Sequence, residues 1–226
     1  MDLWDILLLL IVYVYVACLF IFSEKCLKRH PEAARKFIHI MVGNCIFIMP
    51  FFHNPLVMVY FLTIPITIFA FLLTKYSPIK IKSTVTDAGH DLGLVYYAGV
   101  WSILIFIFPD YLWIVALAIA AMVYGDGFAS LIGQKYGRHK YNLIGDQKSI
   151  EGSLTMFIVI IIASIAIFIF YNAIGYPTAP KTFSLITIIG LSLIATVTEA
   201  ITPKGLDNLS VCVVTAILYY ILMVIF

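Results

Sequence analysis

The amino-acid sequence predicts an all-α fold: a polytopic bundle of membrane-spanning helices with about eight spans, within a range of roughly seven to nine. Apolar residues make up 63% of the 226-residue chain, and the mean hydropathy is +1.05. In soluble domains the apolar fraction is nearer one half. The apolar runs fill almost the whole chain, so we expect one integral membrane domain over residues 1–226 and no separate soluble domain.

The lengths of the apolar runs define the individual spans, because a bilayer core about 30 Å thick needs roughly 20 helical residues. The predicted spans are approximately residues 3–23, 37–52, 56–74, 93–108, 111–125, 153–172, 183–201 and 208–226. The fifth span is short, which predicts that its helix ends or breaks inside the protein at Gly125.

Basic residues gather in four of the connections, namely residues 24–36, 75–91, 127–152 and 202–207. With eight spans these connections all lie on one side of the membrane, and of the 14 Lys and Arg residues only Lys181 lies elsewhere. Basic residues in short loops remain in the cytoplasm. We therefore expect the active-site loops to face the cytoplasm and both termini to lie on the opposite side.

The segment from Gly125 to Ser153 is the one long polar stretch in the chain, and it contains six glycines among acidic and basic residues. Glycines let backbone amides approach a ligand, basic side chains neutralise phosphate, and carboxylates hold a divalent cation. The segment therefore predicts a nucleotide phosphate site. Two structural alternatives stay open: a solvated basic loop, or a helix that continues past Gly125 and packs closely through Ala129, Gly133 and Gly137.

Two other groups of polar residues precede apolar runs nearer the N-terminus. Arg35 and His39 are four residues apart and share a helix face, with Lys36 beside Arg35. Arginine suits a phosphate, and His39 can donate a hydrogen bond or relay a proton; the alternative for Arg35 and Lys36 is a position at the membrane interface. Asp87 and Asp91 are interpreted as helix caps, with a role near the metal or the acceptor hydroxyl as the alternative.

Three carboxylates lie at the membrane edges of apolar runs: Asp126, Glu199 and Asp207, the last followed by Asn208. Ionisable groups in or beside a span are costly to bury and usually functional, although Asp207 could also be a helix cap. Mg²⁺ takes one or two carboxylates and completes its shell with water and phosphate oxygens. We therefore expect Asp126, together with Glu199 or Asp207, to hold Mg²⁺. The sequence lacks the phosphate-loop and catalytic-loop motifs of the soluble kinases, which excludes those architectures.

Taken together, these motifs resemble one family, the CTP-dependent polyprenol kinases, which includes the dolichol, phytol and farnesol kinases and a related yeast-type diacylglycerol kinase. The resemblance covers most of the chain in the correct order, and its motifs are Arg35-Lys36-x-x-His39, Gly125-Asp126-Gly127-x-Ala129-Ser130-x-x-Gly133-x-x-x-Gly137-Arg138-x-Lys140, Lys148-Ser149-x-Glu151-Gly152-Ser153, and Glu199 with Asp207-Asn208.

The resemblance implies a membrane lipid kinase. Such an enzyme transfers the γ-phosphate of CTP, or of another nucleoside triphosphate, to the hydroxyl of an isoprenoid alcohol such as geranylgeraniol, phytol or dolichol. The product is a polyprenyl monophosphate. Three alternatives stay open: a CTP-dependent cytidylyltransferase that makes a CDP-lipid (similar to CDP-diacylglycerol or CDP-archaeol synthases), a CTP-dependent diacylglycerol kinase, and a transporter that uses Glu199 as a proton carrier.

The resemblance also implies roles for individual residues. The catalytic residues are Asp126, Lys148, Glu151, His39 and Glu199, and the metal ligands are Asp126, Glu199 and Asp207. The nucleotide-binding residues are Arg35, Lys36, Gly125, Gly127, Ser130, Gly133, Gly137, Arg138, Lys140, Ser149, Gly152, Ser153 and Asn208. The expected partners are the lipid bilayer, a membrane lipid alcohol, a nucleoside triphosphate and Mg²⁺, with no nucleic acid. Acceptor chain length and saturation, strict use of CTP, the identity of the base and a homodimeric state stay open.

Overall fold

A computed structural model describes residues 2–78, 92–144, 147–182, 184–203 and 205–225. The chain forms two compact units, Met1–Pro109 and Asp110–Phe226. Asp87 and Asp91, for which the sequence favoured helix capping, lie outside the described residues.

The described residues of the N-terminal unit form five α-helices. They are α1 (Leu3–Cys26), α2 (Pro31–Gly43), α3 (Pro55–Met58), α4 (Ile64–Leu72) and α5 (Gly93–Ile107). Two 3₁₀ turns, Asn44–Phe47 and Met49–Phe51, extend α2, and a π-helical turn over Val59–Thr63 joins α3 to α4. Prolines begin α2 and α3, where the missing backbone N–H costs nothing because the first turn has no partner for it.

The start of α1 is fixed by side-chain hydrogen bonds. The Asp2 carboxylate caps the helix by accepting from the Asp5 backbone N–H at 2.8 Å, and it lies 2.5 Å from Nδ1 of His53. The backbone N–H of His53 in turn donates to the Asp5 carboxylate at 2.9 Å. The capping bond lowers the pKa of Asp2, and the contact with Asp2 raises the pKa of His53. The beginning of α1 is thereby joined to the connection before α3.

In the C-terminal unit, the part of the chain that the structure describes also forms five α-helices and adds two short paired strands. The helices are α6 (Leu112–Ala120), α7 (Gly127–Tyr136), α8 (Ile150–Ala173), α9 (Leu185–Ile201) and α10 (Asp207–Tyr220). Strands β1 (Lys140–Asn142) and β2 (Gln147–Ser149) pair in antiparallel fashion, with Tyr141 opposite Lys148. Helix α6 is buried along its whole length and packs against α8 and α10. Four alanines in and just after α6 allow this close approach, as small residues do in membrane bundles.

The predicted all-α architecture is confirmed, apart from the β1–β2 hairpin. Among the described residues, six helical segments are long and apolar enough to cross a membrane: Leu3–Cys26, Pro31–Phe51, Pro55–Leu72, Leu112–Tyr136, Ile150–Ala173 and Asp207–Ile225. Two shorter apolar helices, Gly93–Ile107 and Leu185–Ile201, match the remaining predicted spans. The fold is therefore compatible with a helical membrane bundle, while the number of crossings and the side on which the loops lie stay predictions.

The sequence predicts that the helix of the fifth span ends or breaks at Gly125; the helix does not end there, but its α-helical geometry is interrupted at this point. The helix continues from Leu112 to Tyr136 through a π-helical turn over Ala121–Asp126. Gly125 is buried in this turn, where an added Cβ would lie 2.9 Å from the Ile160 side chain of α8. Close packing against α8 therefore offsets the weak helix propensity of glycine. The irregularity that the sequence indicated takes the form of a π turn, and π turns often occur at functional sites.

Candidate active site

Three carboxylates from three different helical segments meet in the C-terminal unit. Asp126 ends the π-helical turn, Glu199 lies near the end of α9, and Asp207 begins α10. One carboxylate oxygen from each lies within 4.8 Å of the other two. Glu199 is only 7% exposed, and the other two acids are half-buried. These are the acids for which the sequence predicted a metal site, and the fold brings all three together.

The connection between α9 and α10 positions two of these acids. Gly205 adopts φ +95°, a conformation that a residue with a side chain rarely takes, and this turn leads directly into α10. The Asp207 carboxylate accepts from the backbone N–H of Gly205 at 3.1 Å. The Ser210 hydroxyl contacts the Thr202 hydroxyl at 3.0 Å, which joins the first turn of α10 to the residue that follows α9. The turn at Gly205 and the contact between Thr202 and Ser210 therefore hold Glu199 and Asp207 in position.

Lys148 contacts the carboxylate cluster from the hairpin. Its Nζ lies 2.6 Å from Oε1 of Glu199, and the two side chains are only 13% and 10% exposed. The ammonium also donates to the backbone carbonyls of Glu199 and Thr202. Among these side chains, one ammonium faces three carboxylates, and like charges at this separation repel strongly when they are partly buried. This donor set suits a small divalent cation, because Mg²⁺ prefers carboxylate oxygens and the cluster supplies them from rigid helices.

Glycines bring α7 and α8 into close contact beside the cluster. Ser149 caps α8 by accepting from the Gly152 backbone N–H at 3.1 Å. A Cβ added at Gly133 would lie 2.9 Å from the Ser149 hydroxyl, and one added at Gly152 would lie 3.0 Å from the Ala129 carbonyl oxygen. The structure thus realises the close-packing alternative that the sequence left open. A role of Gly133, Gly137 and Gly152 in binding nucleotide stays a prediction.

Gly137→Ala is expected to destabilise the protein, because its Cβ would lie 2.7 Å from the Ser149 Cβ, a separation that real contacts do not show. Forcing such contacts typically costs about 1–3 kcal/mol. Gly190→Ala is the matched control, since its Cβ would meet nothing within 4 Å and alanine favours a helix. Thermal unfolding in detergent should show a lower Tm for the first variant and an unchanged or higher Tm for the second. A Gly137→Ala protein that melts like wild type yet loses nucleotide affinity would contradict the packing role.

Other predicted residues of the polar segment organise the hairpin. The Glu151 carboxylate lies 2.7 Å from Nδ1 of His139 and also accepts from the His139 backbone N–H. Lys140 donates to the Gly133 carbonyl at 2.9 Å, and the Ser153 hydroxyl lies 2.6 Å from the Tyr141 hydroxyl. The Glu151 carboxylate thus contacts His139, and its catalytic role stays a prediction.

The remaining predicted residues of this unit lie on the same elements. Arg138 is exposed, Ser130 is half-buried on α7, and Gly127 is buried at the start of α7. Asn208 is buried next to Asp207 on α10. Their nucleotide-binding roles stay predictions.

Arg35, Lys36 and His39 lie on α2 of the N-terminal unit. His39 is buried, and its ring packs against Tyr97 with 4.6 Å between ring centroids. The Tyr97 hydroxyl donates to the His39 backbone carbonyl at 3.0 Å. The packing fixes His39 within its own unit, and the expectation that these three residues serve the active site stays a prediction.

Sequence reasoning missed the residues that hold the site in place: His139, Tyr141, Thr202 and Ser210. The sequence does contain a local signal for a hairpin, because Gly and Asp, residue types that favour turns, follow each other at positions 145 and 146. No comparable local signal marks the Thr202–Ser210 contact, which depends on the angle between two helices.

Comparison with known proteins gives a consistent set of relatives. The chain is 29% identical over 198 residues to a phytol kinase from Synechocystis sp., which covers 80% of this chain and 75% of that protein. It is 36% identical over 109 residues to phytol kinase 1, chloroplastic, from Arabidopsis thaliana, which covers 46% of this chain and 35% of that protein. It is 29% identical over 196 residues to a probable phytol kinase 1, chloroplastic, from Glycine max. This match covers 80% of this chain and 64% of that protein.

These matches differ in how much of each relative they include. Two thirds or more of the Synechocystis protein is matched, but only about a third of the Arabidopsis protein. No protein-family model matches the sequence, and no solved structure matches it.

Proposed function

We propose that this chain, which is similar to phytol kinases over most of its length, is a member of the polyprenol kinase family and a membrane lipid kinase that phosphorylates the hydroxyl of an isoprenoid alcohol. The observation that carries the proposal is the cluster of Asp126, Glu199 and Asp207 with Lys148. Phosphoryl transfer depends on positioning and on neutralising phosphate charge, and this cluster supplies the groups for both. The proposed donor is CTP, on the resemblance described above.

The metal in this proposal is Mg²⁺, held by Asp126, Glu199 and Asp207, whose oxygens lie within 4.8 Å of one another. When bound, the cation supplies positive charge to the β- and γ-phosphates. The buried end of α9 and the turn at Gly205 before α10 keep the three carboxylates in place, so these ligands reorganise little when the cation binds.

The basic residues of the chain act on the phosphates. In the proposal, Lys148 and Lys140 neutralise the triphosphate. The hydroxyl oxygen of the lipid attacks the γ-phosphorus, the bond from that phosphorus to the bridging oxygen breaks, and the nucleoside diphosphate leaves. A carboxylate of the site accepts the hydroxyl proton. The lipid enters sideways from the bilayer, with its head at the level of the cytoplasmic surface.

Cysteine labelling tests the proposed topology. With cytoplasmic active-site loops, cysteines placed at Asn54 and Thr178 should react with an impermeant reagent on intact cells, whereas one at Asn142 should react only after permeabilisation. A chain without its native cysteines is the background, because Cys18 and Cys26 are exposed. The reverse pattern would place the site away from the cytoplasmic nucleotide pool.

Product analysis tests the reaction. Purified protein with Mg²⁺ is given each of the four nucleoside triphosphates, labelled on the γ-phosphate, with phytol, geranylgeraniol, dolichol or diacylglycerol. We expect label in a prenyl monophosphate, with CTP as the best donor. Release of pyrophosphate with formation of a CDP-lipid would identify a cytidylyltransferase instead, and labelling of diacylglycerol alone would identify a diacylglycerol kinase. Absence of any lipid product would overturn the proposal.

A further inference from the structure

One of the three clustered carboxylates already holds a cation that belongs to the protein. The Lys148 ammonium lies 2.6 Å from Oε1 of Glu199, and both side chains are largely buried. Oxygens of Asp126 and Asp207 lie within 4.8 Å of a Glu199 oxygen. A divalent cation at the three acids would therefore lie close to a buried ammonium.

Two cations at this separation repel, and the repulsion is strong because the surroundings exclude water. Lys148 relieves this repulsion if its ammonium moves away from Glu199. The side chain is suited to such a movement, since lysine carries a compact charge on a flexible four-carbon stem. The hairpin strand that bears Lys148 is joined directly to the capped start of α8, so the backbone can stay in place while the ammonium moves.

We propose that Lys148 is an exchangeable cation that couples nucleotide binding to metal binding. Its ammonium holds Glu199 in position, competes with a divalent cation for that carboxylate, and transfers to a donor phosphate when the nucleotide arrives. The nucleotide thereby raises the affinity of the three acids for metal, and by thermodynamic linkage the metal raises the affinity for nucleotide by the same factor. The inference rests on the proposed function and concerns the regulation of the same site.

The competing explanation is a fixed ion pair that only stabilises the end of α9. The two explanations predict different effects on metal affinity when the charge of Lys148 is removed. If Lys148 competes with metal, removing its charge strengthens metal binding in the absence of nucleotide. If the pair is only structural, removing the charge leaves Glu199 poorly positioned, and metal binding weakens or stays the same.

The experiment measures Mn²⁺ binding to purified protein in detergent, with and without a non-hydrolysable CTP analogue, by the paramagnetic signal of free Mn²⁺. Without nucleotide, Lys148→Met is expected to bind Mn²⁺ about tenfold more tightly than wild type, within the usual range of coupling between sites. Addition of the CTP analogue should then raise the affinity for Mn²⁺ much less in Lys148→Met than in wild type. Lys135→Met, whose ammonium lies over the Tyr136 ring, is the matched control and should behave as wild type.

A second variant keeps the test independent of the folding of Lys148→Met. Glu199→Gln releases the ammonium from its carboxylate, so this variant should bind the CTP analogue several-fold more tightly than wild type when EDTA removes divalent cations. Unchanged or weaker Mn²⁺ binding by Lys148→Met without nucleotide, or unchanged analogue binding by Glu199→Gln in EDTA, overturns the exchange. Neither readout requires turnover, so failure of the exchange and failure of the kinase assay are distinguishable.

Discussion

Asp126→Asn is expected to lower the rate of lipid phosphorylation by at least about a hundredfold while the protein remains folded. The amide has the shape of the carboxylate but lacks its charge, and oxygens of Asp126, Glu199 and Asp207 lie within 4.8 Å of one another. Removing one carboxylate relieves their repulsion, so the Tm should hold or rise. The loss should therefore appear in the rate at saturating Mg²⁺ and as a higher Mg²⁺ concentration for half-maximal activity.

Asp110→Asn is the control for Asp126→Asn. Asp110 is an exposed acid of the same unit, and its backbone carbonyl accepts from the Thr178 hydroxyl at 2.6 Å. Its activity should match wild type. If Asp126→Asn retains more than about a third of the wild-type rate, or if both variants lose activity alike, the carboxylate cluster is not the reaction centre.

Lys148→Met is expected to lower activity by about 10² to 10³, because loss of a charged contact in a closed site typically raises the barrier by roughly 2–4 kcal/mol. Lys135→Met, in the same polar segment, should keep nearly full activity, since the Lys135 ammonium lies over the Tyr136 ring at 5.1 Å. The two variants are compared in membranes at equal amounts of folded protein.

The structure adds a stability effect to this prediction. The Lys148–Glu199 pair is largely buried, and removing one partner of such a pair typically destabilises by about 3–5 kcal/mol. Melting curves in detergent are therefore needed beside the rates. If Lys148→Met keeps more than half of the activity, or if both lysine variants fall equally, Lys148 does not act on a phosphate and the segment serves mainly as a cytoplasmic anchor.

The helical segments and the acid cluster could be predicted from the sequence because both follow from the energetics of burial. An apolar run must match the thickness of the bilayer, so composition alone gives its approximate ends. An acid in or beside such a run is costly unless other groups compensate, which singled out Asp126, Glu199 and Asp207. The geometry that unites them agrees with that argument.

The rest depends on contacts between residues distant in sequence. Lys148 and Glu199 are 51 positions apart, and nothing in the local sequence indicates that the lysine pairs with this acid. Gly133 and Gly137 fit a phosphate site and a packed helix face equally well in the sequence, and the contacts with Ser149, the N-cap of α8, favour packing. The pairing of β1 with β2 escaped detection because each strand is only three residues long.

The π-helical turn over Ala121–Asp126 makes the site sensitive to chain length. Such a turn accommodates one more residue than an α-helical turn, and its wider hydrogen bonds absorb that residue without ending the helix. Deleting a single residue between Ala121 and Gly125 would restore the α-helical ladder and rotate the flanking segments by about 100° relative to each other. Either the side chains of α6 would lose their present packing against α8 and α10, or Asp126 would turn away from Glu199 and Asp207. Neighbouring side chains can compensate for a substitution in this turn, but they cannot compensate for the deletion of one residue. Active relatives should therefore conserve the number of residues between Leu112 and Gly133 more strictly than the identity of those residues.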